Sequence, residues 1–394
     1  MALNASGKLS VGGLVTGESI ELELGMSGTV VASLNDSNFR ALANVSSGTI
    51  SIDTFHGRQT TWAKRTNSFA QNNSYERWND ISVSSTGQYI VIVSSSGWVV
   101  ISTNYGRTWS TQSDNTSGTA YFGCAITDDG NWVYLIGDDG AGRGLWRNTY
   151  SGNLTNGFWT KVYTFEFAAV YIAIAKNYTP YPGLFVMAGT SYLPIPPYTR
   201  YCKVYKSTDN GASFSTILSL ETGLATVNFS SISCSDDGNR IVVGNGGTRM
   251  YGGPPVADYY YTTNGGSTWA ASPDKDISFQ RIKTDASGSK IVASQEGGGL
   301  WYTSPFGGTY GNFDSNPVTN DICFTLSRDG STIYAGYPGL SSIKKATSFY
   351  QYSSDLSNVY YPNSTGYGLV GCSANGSFVV ATAAPNNGAI YTSV

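Results

Sequence analysis

Along residues 58–394, short apolar runs alternate with polar turns, and the same unit keeps returning: an apolar run, a turn holding a Gly, and a second apolar run. The units are Ile81–Val93 about Gly87, Cys124–Ile136 about Gly130, Ile232–Gly244 about Gly238, Ile282–Ser294 about Gly288, Ile322–Gly336 about Gly330 and Gly371–Thr382 about Gly376. A seventh, Val170–Gly189, has its turn lengthened to Lys176–Gly183. Runs this short, bounded by Gly, Asn and Asp, predict pairs of buried strands rather than helices. Gly376 lies 289 residues beyond Gly87, so six steps average about 48 residues, the period of a propeller blade.

A second pattern follows the strand pairs. Val99–Trp109, Val204–Phe214 and Tyr259–Trp269 each carry an apolar run and then Ser/Thr-x-Asn/Asp-x-Gly-x-x-Trp/Phe. Asn104, Asp209 and Asn264 can fold their side chains onto backbone N–H groups of a tight turn, and the Gly two places on supplies a positive φ. The aromatic then opens the next strand and is buried between sheets. This pattern resembles the Asp-box of sialidase-like β-propellers. In that family the box staples the fold away from the ligand site; the alternative is that these turns hold a cation.

The fold expected is therefore all-β, a seven-bladed Asp-box β-propeller with a small N-terminal β-rich module. Thr61–Arg65 reads as an outer strand with no blade before it, and Ile390–Val394 as a third strand with no outer strand behind it. Pairing the two completes the seventh blade and removes an open sheet edge. The domains expected are 1–57 and 58–394, the latter closed by strand 61–65 on 390–393. The chain then enters the ring on the face of the first-to-second turns, and second-to-third loops lie opposite.

In residues 1–57, Gly7–Val15, Ser19–Leu24 and Ser47–Gly57 alternate as strands do, with a short helix expected at Asn38–Ala43. So few residues bury too little surface to stand alone. The order Ser6-Gly7-x-Leu9-Ser10, Ser33-Leu34-Asn35-Asp36-x-x-x-Arg40-x-Leu42, Ser47-Gly48-x-Ile50-Ser51 and Phe55-x-Gly57 looks like a short N-terminal module of tailed-bacteriophage structural proteins. That resemblance implies a docking unit for other virion tail proteins; the plainer alternative is a β-rich cap with no viral role. Seven-bladed Asp-box rings also occur in a photosystem II assembly factor family, a rival that the 1–57 module disfavours.

Composition narrows the classes further. Only 12% of residues are charged and the net charge is −3, which disfavours a nucleic-acid binder. No apolar run approaches the roughly 20 residues of a membrane span, and the first residues lack a secretory layout. The expectation is synthesis in a host cytoplasm and residence in the virion. The five cysteines, Cys124, Cys202, Cys234, Cys323 and Cys372, read as small hydrophobes in a packed interior, not as disulfide partners or metal ligands.

Three consecutive blades carry long loops on the face opposite the chain's entry: Gly137–Gly144, Thr190–Arg200 and Asn245–Val256. Their Tyr, Pro, Arg and Asp content suits recognition of a glycan or protein, against the alternative that the surface merely tolerates insertions. The candidate ligand-binding residues are Asp138, Asp139, Arg143, Tyr192, Tyr198, Arg200, Arg249 and Tyr251. No Arg-Ile-Pro motif of the sialidases occurs, Asp138 and Asp139 are neighbours rather than facing carboxyls, and the lone His56 offers neither a Ser–His pair nor a zinc site. The reading is a non-catalytic, cofactor-free virion protein of a phage tail, fibre- or baseplate-associated. It would be homo-oligomeric in the particle and bind a host-surface receptor. A non-adhesive decoration protein and a glycan hydrolase are the rivals.

Overall fold

The computed structural model describes residues 63–65, 78–112, 119–148, 159–166, 168–177, 182–188, 200–222, 227–246, 257–273, 277–295, 299–308, 311–314, 322–336, 343–346, 357–360, 367–383 and 390–393. The 1–57 segment and residues 61–62 lie outside them. Within the described residues every regular element is a strand, and the strands form seven four-stranded antiparallel sheets. The inner strands are Trp78–Val83, Ala120–Ile126, Ala169–Ala175, Phe229–Cys234, Phe279–Thr284, Cys323–Leu326 and Tyr367–Cys372. Six sheets run in chain order from inner to outer strand. The seventh takes its outer strand from the other end of the chain: Ala63–Arg65 pairs with Ile390–Ser393, Ala63 opposite Thr392 and Arg65 opposite Ile390. The molecule is a closed seven-bladed β-propeller.

The second strand of each blade explains why the sheets stack face to face. Ile90–Ser94 and Ile241–Asn245 are buried throughout, as strands covered on both faces must be. Side chains alternate across a strand, so one strand serves two neighbours. Ile90 and Ile92 pack with Phe378, Val380 and Ile390 of blade seven, whereas Val91 and Val93 pack with Tyr121, Cys124 and Leu135 of blade two. The same division yields an apolar cluster at each of the seven blade junctions, including the one between the last blade and the first.

Inner strands carry a repeated irregularity. In blades one to five and seven the pairing with the second strand slips at one equivalent place, between Trp78 and Asp80, Tyr121 and Gly123, Ala169 and Tyr171, Phe229 and Ser231, Phe279 and Arg281, and Tyr367 and Leu369. A bulge of this kind bends a strand and re-aims the residues beyond it.

At the first-to-second turns the blades join one another through the backbone. Ala374 N–H donates to Ser85 O at 2.8 Å, Arg328 to Ala374 at 2.7 Å, Ala286 to Arg328 at 2.7 Å, Asp236 to Ala286 at 2.9 Å and Asn177 to Asp236 at 2.8 Å. These bonds circle the axis through six blades, and Ser85 N–H reaches on to the Asp128 carboxylate of blade two at 3.2 Å.

Candidate functional site: the loop face and the axial cavity

Three of the third-to-outer turns, those of blades one, three and four, share one hydrogen-bond pattern. Ser102, Ser207 and Thr262 each donate a hydroxyl to the Asn104, Asp209 or Asn264 side chain at 2.7–3.1 Å and accept from the N–H of Gly106, Gly211 or Gly266. The Asn or Asp oxygen also accepts the N–H of Thr108, Ser213 or Thr268 at 2.9–3.0 Å. The Ser/Thr and Asn/Asp side chains are thus engaged within each turn, while the backbone also bonds outward, Tyr105 N–H to Gln88 O and Gly265 N–H to Asn239 O. Trp109, Phe214 and Trp269 lie at blade junctions, where the sequence pattern places them.

These turns share a face with the first-to-second turns, and Ala63 enters the ring there, beside Thr392 at the end of the seventh blade's third strand. The blade-two loop lies at the other end of its sheet. Its strands close on the pair Asp138 and Arg143, and most of its charge is used internally. Asp138 accepts the Gly140 N–H at 3.0 Å and lies 3.7 Å from Arg143. The Asp139 carboxylate receives the Lys161 ammonium at 3.0 Å, and this bond, with burial opposing it, holds its pKa below the usual carboxylate range. Arg143 donates to Ala169 O of blade three at 3.0 Å and lies 4.0 Å from the centre of the Phe122 ring. Burial lowers its pKa despite Asp138. Asp139 and Arg143 therefore shape the loop and tie it to the next blade.

At blade four, Asn245 ends the second strand, buried, and clamps the base of its loop by donating to Ala257 O at 3.0 Å and accepting from Asn228 N–H at 2.8 Å. Of the other candidates, Arg200 opens the third strand of blade three opposite Thr222; Tyr192, Tyr198, Arg249 and Tyr251 lie outside the described residues.

The inner strands enclose an axial cavity of about 210 Å³. Its turn-side end is crossed by Arg328 of blade six. The Nε donates to Asp236 of blade four at 2.5 Å, and Nη1 donates to Asp128 of blade two at 2.5 Å and to Ser85 of blade one at 2.8 Å. A side chain bonded to three blades across the ring from its own must lie close to the axis. Lys176 of blade three also pairs with Asp128. Burial opposes ionisation of Asp128, but Lys176, Ser85 and Arg328 outweigh it and hold its pKa below the usual range.

Farther along the axis Asp80 projects from blade one, its carboxylate accepting the N–H groups of Ile81 and Cys124 at 2.9 Å each. Burial raises its pKa, against the pull of Lys283, the two N–H groups and Arg281. Arg281 and Lys283, on the inner strand of blade five, line the same cavity. The cysteines need a correction. All five are free thiols, but Cys124, Cys234 and Cys372 line the cavity rather than sitting wholly within packed junctions. Burial raises all three thiol pKa values, that of Cys372 to about 11, so they are inert at neutral pH.

No protein-family model matches the chain, and no curated protein matches it in sequence. Among solved structures the ring has a clear likeness. It is similar to YCF48 from Cyanidioschyzon merolae. The superposition has a TM-score of 0.57 at 12% identity and covers 85% of this chain and 99% of that one. At that identity the likeness establishes a shared propeller fold. A fold of this kind does not itself fix a function, which depends on the residues and loops the ring displays.

Proposed function

We propose that the chain is a non-catalytic structural protein of a bacteriophage tail, fibre- or baseplate-associated, in which residues 1–57 dock onto other tail proteins. The propeller binds a host-surface glycan or protein with the second-to-third loops of blades two to four. The observation that carries this reading is the polarity of the ring: the chain enters beside Thr392 on the turn face, while the blade-two loop at Asp138–Arg143 lies at the opposite end. A tether on one face leaves the other free for recognition. Repetition of the chain in a symmetric tail would turn weak single contacts into strong adhesion. Hydrolysis by paired carboxyls is disfavoured because, of the carboxylates lining the cavity, Asp236 is paired with Arg328 and Asp285 is engaged in its own turn, which leaves Asp80 without a second free carboxyl to work with, and Asp138 and Asp139 do not face one another.

The alternative, a decoration protein that only buries partner surface, is favoured by one observation: Asp139 and Arg143 are already engaged inside the molecule. The two readings separate when the full chain, immobilised on beads, is offered to host cells. Adhesion reduced by replacing Tyr192, Tyr198, Arg249 and Tyr251 with Ala supports recognition by the loop face. Adhesion unchanged by those substitutions removes the loop face from the account, and no adhesion by the unsubstituted chain supports decoration. Release of reducing sugar from host polysaccharide would contradict the non-catalytic assignment.

A further inference from the structure

The axial cavity has a chemistry that the loop-face reading does not use. Its wall at the Asp80 level offers hydrogen-bond donors in excess of acceptors. Arg281 and Lys283 stand two residues apart on one inner strand, a spacing that sends both side chains to the same side. Neither has a hydrogen bond or an ion pair within 4 Å among the described residues, although both exert a charge effect on Asp80 across the axis. Ser82 and Ser233 accept backbone N–H bonds, from Ile126 at 3.1 Å and Thr284 at 3.0 Å, and their own O–H groups find no acceptor among the described residues. The one carboxylate at this level, Asp80, is already occupied by two N–H groups. Toward the turn side the charges of Lys176 and Arg328 are balanced by Asp128 and Asp236. The two cations of blade five thus face one carboxylate, Asp80, across the axis, because Asp285, two residues beyond Lys283 in the same wall, is engaged in its own turn by the Ser287 and Ser289 hydroxyls and the Lys290 N–H.

Arg281 is half-buried and Lys283 exposed, so the cost here is the mutual repulsion of two like charges, to which the buried Ser233 adds a hydroxyl with no acceptor among the described residues. A ligand that supplies only acceptors and negative charge relieves both. We propose that the cavity binds a small oxyanion, a phosphate or carboxylate group, held by Arg281 and Lys283 with the Ser82 and Ser233 hydroxyls donating to it. A cavity of about 210 Å³ has ample room for inorganic phosphate or a short carboxylic acid, since roughly 10–15 Å³ on the same measure already holds a water. The guanidinium of Arg281 suits a bidentate contact, and Lys283 a point contact.

The test is thermal unfolding and calorimetric titration of the full chain with inorganic phosphate, and separately with acetate, each against chloride at matched ionic strength. The expected result is a rise in Tm with at least one of the two and a saturable heat of binding; which anion gives it identifies the class. Arg281→Gln and Lys283→Gln should each weaken binding about tenfold or more, the usual cost of losing a hydrogen bond to a charged group. Lys283→Arg should retain binding, and Lys345→Gln, on the third strand of blade six, should leave it unchanged. Removing one of two repelling cations is not expected to unfold the ring, and circular dichroism of each variant checks this. If neither anion shifts the unsubstituted chain, or if both Gln variants respond as it does, the inference is wrong.

Discussion

At the scale of single residues, the turns show how little the choice between Asn and Asp matters when neighbouring hydroxyls can rotate. Asn264 Nδ2 donates to Thr268 Oγ1 at 2.8 Å, whereas the Asp209 carboxylate accepts from Ser213 Oγ at 2.5 Å. Each hydroxyl takes the role its partner requires. The bond from the Ser213 hydroxyl, opposed by burial and helped by the Ser213 N–H and the Ser207 hydroxyl, depresses the Asp209 pKa to about 2. Because this lies below the unfolded value of about 3.9, the stabilisation is complete above that value and is lost as pH falls through the folded pKa. Asp209→Asn should fold normally at neutral pH and lose stability less steeply than the parent in urea unfolding between pH about 4 and about 2. Parallel losses would contradict the assignment. Arg328 presents the opposite case, since it joins residues 92 and 200 positions away. Arg328→Met should destabilise by about 1–3 kcal/mol, less than a fully buried pair because the partners are part-exposed. Adding Asp128→Asn and Asp236→Asn should recover part of that loss in the same measurement. The turn staples were legible in the sequence because every partner lies within a few residues. The Arg328 network was not, because nothing local marks its partners.

Among the elements, the strands were legible and their irregularities were not. Second strands such as Ile90–Ser94 and Ile291–Gln295 announce themselves by opening on a buried apolar run, Ile-Val-Ile-Val in the first and Ile-Val-Ala in the second, and the turn glycines fix the hairpins. The bulges in the inner strands interrupt the two-residue alternation that strand reading relies on, so Arg281 and Lys283 read as residues of an ordinary strand rather than as cavity lining. One consequence is specific. Past the bulge in blade two stands Gly123, where an added Cβ would lie 2.6 Å from Val170 O and 3.2 Å from Tyr171 Cα of the next inner strand. The neighbour there is backbone and has little room to give. Gly123→Ala should cost about 1–3 kcal/mol in urea unfolding, and a neutral result would mean that inner strands can separate without penalty.

The whole molecule was legible in its count and closure, because the Gly spacing gives seven units and one unpaired outer strand near the start matches one missing near the end. Ala63–Arg65 on Ile390–Ser393, with the junction of Ile81 and Ile90 against Phe378 and Ile390, makes the ring continuous. The axial cavity was not legible, since its wall takes a few residues from each of seven units and no stretch of chain carries the pattern. Closure also fixes polarity, with Ala63 entering on the turn face and the Asp138–Arg143 loop on the other, and the proposed role depends on that polarity. Cryo-electron microscopy of phage particles that contain this chain tests it most directly. The account predicts propeller rings on the tail with their first-to-second turns, Arg328 among them, facing the particle and the Asp138–Arg143 loop facing outward; rings in the reverse orientation, or particles whose tails lack the chain, would contradict it.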